Sequence, residues 1–245
     1  MKYLLNDRAL LRISGTDSES FLQNQLSNDI TQLDSSKIQL NAYCQHQGKI
    51  IGLFWVMRYE GSFLLSFPKD LIEVIKSRLQ MFVIMSDVII EDISESYDQI
   101  GLIDKKQPNT HSINAKLSIS IEAKDIKSDI NKSLDYEWTK ACIDSLLPEV
   151  SLYTSEKFVP QMLNLDINEI GVSFSKGCYP GQEVVARLHY LGSAKRRLFS
   201  FTSDKEIQVG DSLYCHTSKA AKIRGDRYKG SGIVVSKVKY NSLFY

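Results

Sequence analysis

Apolar residues change period several times along the chain, and each change predicts a new element. Residues 10–13 form a short apolar run that ends in Ser14-Gly15-Thr16-Asp17. That is a turn with a helix-capping residue, and Phe21, Leu22, Gln25 and Leu26 then fall on one helical face. Extended runs at 38–44, 50–58 and 62–67 are separated by His46-Gln47-Gly48 and by Glu60-Gly61. They predict three successive strands, the last two joined in a hairpin. Helical spacing returns over 69–82 through Leu71, Ile72, Ile75, Leu79 and Phe82, and 83–92 reads as extended.

The middle of the chain carries fewer signals. Residues 104–110, with Pro108 and Asn109, predict an exposed loop, and 112–121 a strand or hairpin. An amphipathic helix over 136–147 packs through Trp138, Ile143 and Leu147 and stops at Pro148. Residues 149–175 lack a regular period despite Phe158, Met162, Leu163, Leu165, Ile167 and Ile170, so they read as a cleft wall or a domain crossover. A helix at 180–191 is followed by short strands at 197–201, 212–215, 220–224 and 230–238, which predict a small C-terminal β-barrel that closes its own edges. The reading is α+β, with a boundary between residues 1–191 and 192–245.

Composition narrows the class. With 245 residues, 43% of them hydrophobic, the chain has enough apolar surface for substantial cores. Thirty Lys and Arg against 29 Asp and Glu give no general argument for a polyanionic partner. Residues 187–229 nevertheless hold ten basic and four acidic residues, which either solvate a small domain or rim an anion site. The N-terminal stretch mixes charges into its apolar residues and lacks a cleavage pattern, and the apolar run 50–57 is too short to span a bilayer. The expectation is a cytoplasmic protein without a membrane partner. Cys44, Cys142, Cys178 and Cys215 have no paired spacing, and His46, His111, His189 and His216 form no standard metal motif, so free thiols and no permanent metal are expected.

The chemistry concentrates in Lys176-Gly177-Cys178-Tyr179-Pro180-Gly181-Gln182-Glu183. Glycines flank a thiol that stands near a lysine and just before a helix. Two readings follow: an activated thiol, or a tight turn that tucks Cys178 into the core as a small hydrophobe. Glu183 and Arg187 are one helical turn apart and predict a pair that holds the loop.

Three segments together, Phe21-Leu22-Gln23-Asn24-Gln25-Leu26-Ser27-Asn28-Asp29, Phe158-Val159-Pro160-Gln161-Met162-Leu163-Asn164-Leu165 and Gly171-Val172-Ser173-Phe174-Ser175 running into the Cys178 loop, resemble the YgfZ folate-binding family. That family is related to the glycine-cleavage T-protein and to a mitochondrial factor supporting iron-sulfur protein maturation. The resemblance implies interwoven T-protein-like domains and a C-terminal β domain around tetrahydrofolate or a derivative. It implies a signature loop of Lys176, Gly177, Tyr179, Gly181, Gln182, Glu183 and Arg187 around Cys178 as the working thiol. Folate contacts are expected from Gln25, Asn28, Asp29, Tyr43, Trp55, Gln161 and Asn164, although Asn28 and Asp29 also suit a cap or turn. Arg187, Lys195, Arg196 and Arg197 suit an anionic glutamate tail.

The resemblance further implies iron-sulfur client or assembly proteins as partners, including tRNA methylthiolation enzymes that carry 4Fe-4S clusters. Two other readings stand beside it, a direct folate-dependent one-carbon transferase and a protein that binds or modifies tRNA itself. Whether the chain is an enzyme is left open, with one exclusion. Aminomethyltransferases carry a Gly-Gly-(Ile/Val)-x-Asp-Asp segment, and the matching stretch here, Gly48-Lys49-Ile50-Ile51-Gly52-Leu53-Phe54, has no carboxylate at either matching position. This argues against glycine-cleavage aminomethyl transfer.

Overall fold

The computed structural model describes residues 2–104, 109–124, 135–202, 212–215, 218–223 and 231–237. The chain runs through β1 (Lys2–Leu4), β2 (Arg8–Ser14), α1 (Ser18–Gln25), β3 (Gln39–Cys44), β4 (Ile50–Tyr59), β5 (Ser62–Pro68), α2 (Ile72–Gln80) and β6 (Ile89–Asp92). It continues through β7 (Tyr97–Ile103), β8 (Thr110–Ser112), β9 (Leu117–Ala123), α3 (Asp135–Asp144) and α4 (Gln182–Leu191). The last strands are β10 (Arg196–Thr202), β11 (Ser212–Cys215), β12 (Ser218–Ile223) and β13 (Ser231–Lys237). They form a five-stranded sheet, β3-β4-β5-β2-β6, and two four-stranded sheets, β1-β7-β9-β8 and β10-β13-β12-β11.

The five-stranded sheet is covered on both faces, which explains why the first eight residues of β4 are all buried. Phe54 and Val56 face a core built with Phe21 and Leu22 of α1 and Ile75 and Leu79 of α2. Leu53 and Trp55 face the opposite core, with Ile119 of β9, Trp138 of α3 and Val185 of α4. A bulge places Tyr43 opposite Gly52 and Cys44 opposite Ile50, so Ile51 interrupts the alternation. At the β4–β5 turn Glu60 and Gly61 both take positive φ, as a two-residue hairpin requires.

A buried polar seam joins this sheet to β7. The Arg8 guanidinium lies 3.7 Å from the Trp55 ring centroid, donates from Nε to Ser66 Oγ at 2.8 Å, and pairs with Glu149. Gln99 Nε2 donates to the carbonyls of Arg8 and Ala9, both at 3.2 Å. Neither β1 nor β7 was expected from the sequence. In β7 a Cβ on Gly101 would meet the Trp138 indole at 2.6 Å, so α3 packs directly on the strand backbone.

Among the described residues the expected C-terminal barrel does not close. Its strands make an open antiparallel sheet whose outer members, β10 and β11, do not pair with each other. The outer edge of β10 is already occupied. Asn164, held at a left-handed φ of 61°, donates from Nδ2 to the Leu198 carbonyl at 2.9 Å and accepts from the Leu198 N–H at 3.4 Å.

Other expectations shift by a few residues. The extended reading of 83–92 reduces to β6, because α2 is followed by a looped segment. Its end is fixed where Asp87 N–H donates to Asp17 Oδ2 at 2.8 Å. Residues 149–175 are irregular, with 3-10 turns at Pro160–Leu163 and Ile167–Glu169. Residues 105–108, His216, Arg224, Gly230 and Val238 lie outside the described residues. Among the described residues no helix is long and apolar enough to cross a membrane.

His111 of β8 is buried, its Nδ1 has no hydrogen-bond partner, and burial lowers its pKa from the usual 6.5. The unfolded chain therefore binds this proton more readily. The stabilisation is complete above the unfolded pKa and is lost as pH falls through and below about 6.5. Urea unfolding at pH values on either side of that point is expected to show an acid loss of stability that is smaller in His111→Gln. An equal loss in both proteins would rule out this source.

Candidate functional site

The Cys178 loop is fixed at both ends and open in the middle. Lys176 and Tyr179 are buried, whereas Gly177 and Cys178 are exposed. A Cβ on Gly177 would find no atom within 4 Å. Of the two readings drawn from the loop alone, the structure thus gives a presented thiol rather than a core cysteine. Burial raises the pKa of Tyr179, with Cys44 as a neighbouring contributor, and pushes the Cys44 thiol itself up to about 12.

Lys176 does not face the thiol. Its ammonium donates to the carbonyls of Gln23 at 2.6 Å, Leu26 at 2.5 Å and Asn28 at 3.0 Å. An ammonium has three N–H donors, and all three are used. The Gln23 carbonyl is one that α1 leaves unsatisfied at its C-terminal end, where a cation is also favoured by the helix dipole. Burial lowers the Lys176 pKa to about 8, and the Asp29 charge opposes that shift.

The acceptors belong to a turn that is itself heavily bonded. Ser27 Oγ donates to the Gly171 carbonyl at 2.6 Å and accepts from the Ala42 N–H at 2.8 Å. Asn28 Nδ2 donates to the Leu40 carbonyl at 3.1 Å, and its N–H donates to Asn41 Oδ1 at 3.0 Å. Asp29 Oδ1 accepts from Gln23 Nε2 at 3.0 Å and from Thr31 Oγ1 at 2.7 Å, and these bonds hold the carboxyl below its usual pKa. Asn28 and Asp29 thus act in a turn and a cap. The segment tied together is the one whose sequence carried the first part of the resemblance.

The other end of the loop rests on the β3–β4 turn. Gly181, the N-cap of α4, has φ of 83°, and a Cβ there would lie 2.4 Å from the Gln45 carbonyl oxygen and 2.8 Å from Gly48 Cα. Only glycine permits this backbone contact. It sets the β3–β4 turn against the start of α4. At Gly52 a Cβ would meet the Ile75 methyl at 2.9 Å and the Phe54 ring at 3.0 Å, while Leu53 is buried in the opposite core. Side-chain packing therefore surrounds both positions, and a larger residue at 52 would have to displace the Ile75 methyl and the Phe54 ring.

The remaining expected site residues separate into groups. Tyr43 is buried against Phe54 with ring centroids 6.0 Å apart, and burial raises its pKa to about 12. Trp55 lies beneath Arg8 in the other core. Asn164 caps β10, and Arg197 forks onto Asp166 and the Gln161 carbonyl. Glu183 and Arg187 are exposed, and neither forms an ion pair among the described residues. Gln182 instead steadies the loop, donating from Nε2 to the Gly177 carbonyl at 3.2 Å.

Two glutamines retain unused acceptors. Gln161 donates from Nε2 to the Val185 carbonyl at 2.7 Å, yet its buried Oε1 has no partner, and neither has buried Gln25 Oε1. The residues missed by sequence reasoning are those that work through backbone approach or stacking. Gly48 is one, and Phe174, stacked on His189 at 3.7 Å between centroids, is another. Positive-φ glycine in the polar turn was the available signal for the first. Nothing in the spacing signalled the second. Among the described residues no group of three or more His, Cys, Asp or Glu is placed to hold a metal.

The scaffold is that of the aminomethyltransferase class. A glycine cleavage system aminomethyltransferase T from Bartonella henselae matches 98% of this chain and 78% of its own with a TM-score of 0.63 at 10% identity. A protein of Colwellia psychrerythraea described as tRNA-modifying protein YgfZ is 31% identical over 237 residues, 82% of this chain and 71% of that relative. The chain belongs to the YgfZ family. An uncharacterized protein of Haemophilus influenzae is 32% identical over 217 residues, 85% of this chain and 76% of its own length. The Vibrio atlanticus tRNA-modifying protein YgfZ is 28% identical over 261 residues, 96% and 79% of the two chains. No family model matches the sequence.

Gly181→Ala is expected to destabilise the protein by roughly 2–4 kcal/mol, from left-handed strain and overpacking together. Chemical denaturation measures the loss, and a change below about 1 kcal/mol would show that the turn yields without strain.

Proposed function

We propose that this protein binds tetrahydrofolate or a derivative and supports assembly or repair of 4Fe-4S proteins, and through them tRNA modification by methylthiolation enzymes. Cys178 is its working thiol, and residues 1–191 form the folate-binding region, followed by residues 192–245 as a separate β domain. The observation that carries the reading is the exposed Cys178 on a loop fixed at one end to the 21–29 segment of the family resemblance and at the other to the β3–β4 turn. The cluster is cargo or client chemistry here. The protein acts in the cytoplasm with iron-sulfur client or assembly proteins as partners.

The residues present fit a folate. A pterin edge offers N–H donors, and Gln25 and Gln161 each hold a buried acceptor that lacks one. Arg187, Lys195 and Arg196 are exposed without an ion pair among the described residues, and would meet the glutamate carboxylates. Bound tetrahydrofolate supplies a reduced pterin able to carry a one-carbon unit. The protein's part is to orient that ring and keep Cys178 presented. Gly52 and Leu53 speak against the transferase reading, because neither offers a carboxylate to accept a proton or balance charge.

Anaerobic calorimetry with reduced tetrahydrofolate is expected to give saturable binding with Kd of about 1 μM or tighter. Gln25→Leu is expected to preserve or raise stability while weakening that affinity about fivefold, since it removes an acceptor unused by the free protein. No binding at high ligand concentration would remove folate from the function. Cys178→Ala is expected to fold and bind folate yet fail to restore client cluster content in cells lacking the protein. Full restoration would exclude a chemical role for the thiol.

A further inference from the structure

The lysine of the signature loop stands two residues before the thiol, an arrangement that suggests activation by charge. The geometry gives it another task. Lys176 reaches main-chain carbonyls about 150 positions earlier in the chain, and spends all its donors there. Those acceptors are fixed by the hydrogen bonds of Ser27, Asn28 and Asp29 and by the end of α1. A carboxylate partner at the surface would tolerate many orientations of the ammonium. Three convergent carbonyls allow one.

Beyond Lys176 little else holds the loop before Tyr179. Gly177 has open space where a side chain would project, and its carbonyl accepts the single bond from Gln182. Tyr179 is buried on the far side, with the Lys176 ammonium 5.3 Å from its ring centroid. The thiol therefore hangs on a two-residue span between two buried anchors.

We infer that Lys176 is a positioning residue for Cys178, and that its clamp on the Gln23, Leu26 and Asn28 carbonyls determines where the thiol is presented. The role rests on the reading of Cys178 as the working thiol. It also connects the α1 end to that thiol mechanically, because any displacement of the 23–28 turn moves the ammonium and the loop with it. Methionine fills the space of the lysine stem and leaves the three carbonyls unpaired. Arginine keeps the charge, but its planar fork cannot converge on all three acceptors.

A nitroxide attached to Cys178, with Cys142 and Cys215 replaced by serine and buried Cys44 retained, reports loop order directly. The parent protein is expected to give a restricted spectrum. Lys176→Met is expected to shorten the label's correlation time about threefold or more at unchanged circular dichroism, with Lys176→Arg recovering part of the restriction. An unchanged spectrum in folded Lys176→Met overturns the inference. Should that variant not fold, one glycine inserted between Gly177 and Cys178 leaves the clamp intact and lengthens its tether. Increased mobility then supports the inference, and an unchanged spectrum overturns it. Full client maturation by Cys178→Ala would defeat the working-thiol reading on its own, without altering what the label reports about position.

Discussion

A buried ammonium held by main-chain carbonyls is the contact on which the arrangement around Cys178 depends. Taking such a cation out of water costs several kcal/mol. Hydrogen bonds to a charged group contribute about 1.5–3 kcal/mol each, so three of them together offset a cost of that order. They form because Gln23, Leu26 and Asn28 present their carbonyls together. This is why the turn after α1 is so densely bonded, and why two segments far apart in sequence have one local structure.

The second constraint is the double burial of the five-stranded sheet. β4 is fixed by α1 and α2 on one side and by β9, α3 and α4 on the other, so a slip in register would misplace side chains in two cores at once. The β3–β4 turn is therefore a rigid support, and Gly48 against Gly181 transmits that rigidity to the start of α4. The same packing closes Ile75 over Gly52 and turns Leu53 into the opposite core.

The strands around Glu60-Gly61 and the helices at α1, α2 and α4 were legible because period and turn chemistry agree there. The loop around Cys178 stood out in the sequence by its glycines, lysine and thiol, and its exposure was not decided there, since a tight turn with a buried cysteine read equally well. What escaped the sequence was set by contacts distant along the chain. β7 drew no signal because its Gly101 breaks the strand pattern to receive Trp138. The thiol's neighbour, Lys176, read as an electrostatic partner because its acceptors are backbone atoms, which no side-chain pattern reveals. The barrel was inferred from four short strands alone, and Asn164 lay outside them, in a segment with no period at all.

That asparagine has a wider consequence. A strand at the border of an open sheet is a template on which another chain can add, and short domains of this kind are prone to associate edge to edge. By pairing with both polar groups of Leu198, Asn164 occupies the central stretch of the β10 border with a side chain that cannot propagate a ladder. Openness of the C-terminal sheet is thus reconciled with colloidal safety on that side. The sheet can remain unclosed because the irregular segment supplies, with one amide, what an additional strand would otherwise have provided.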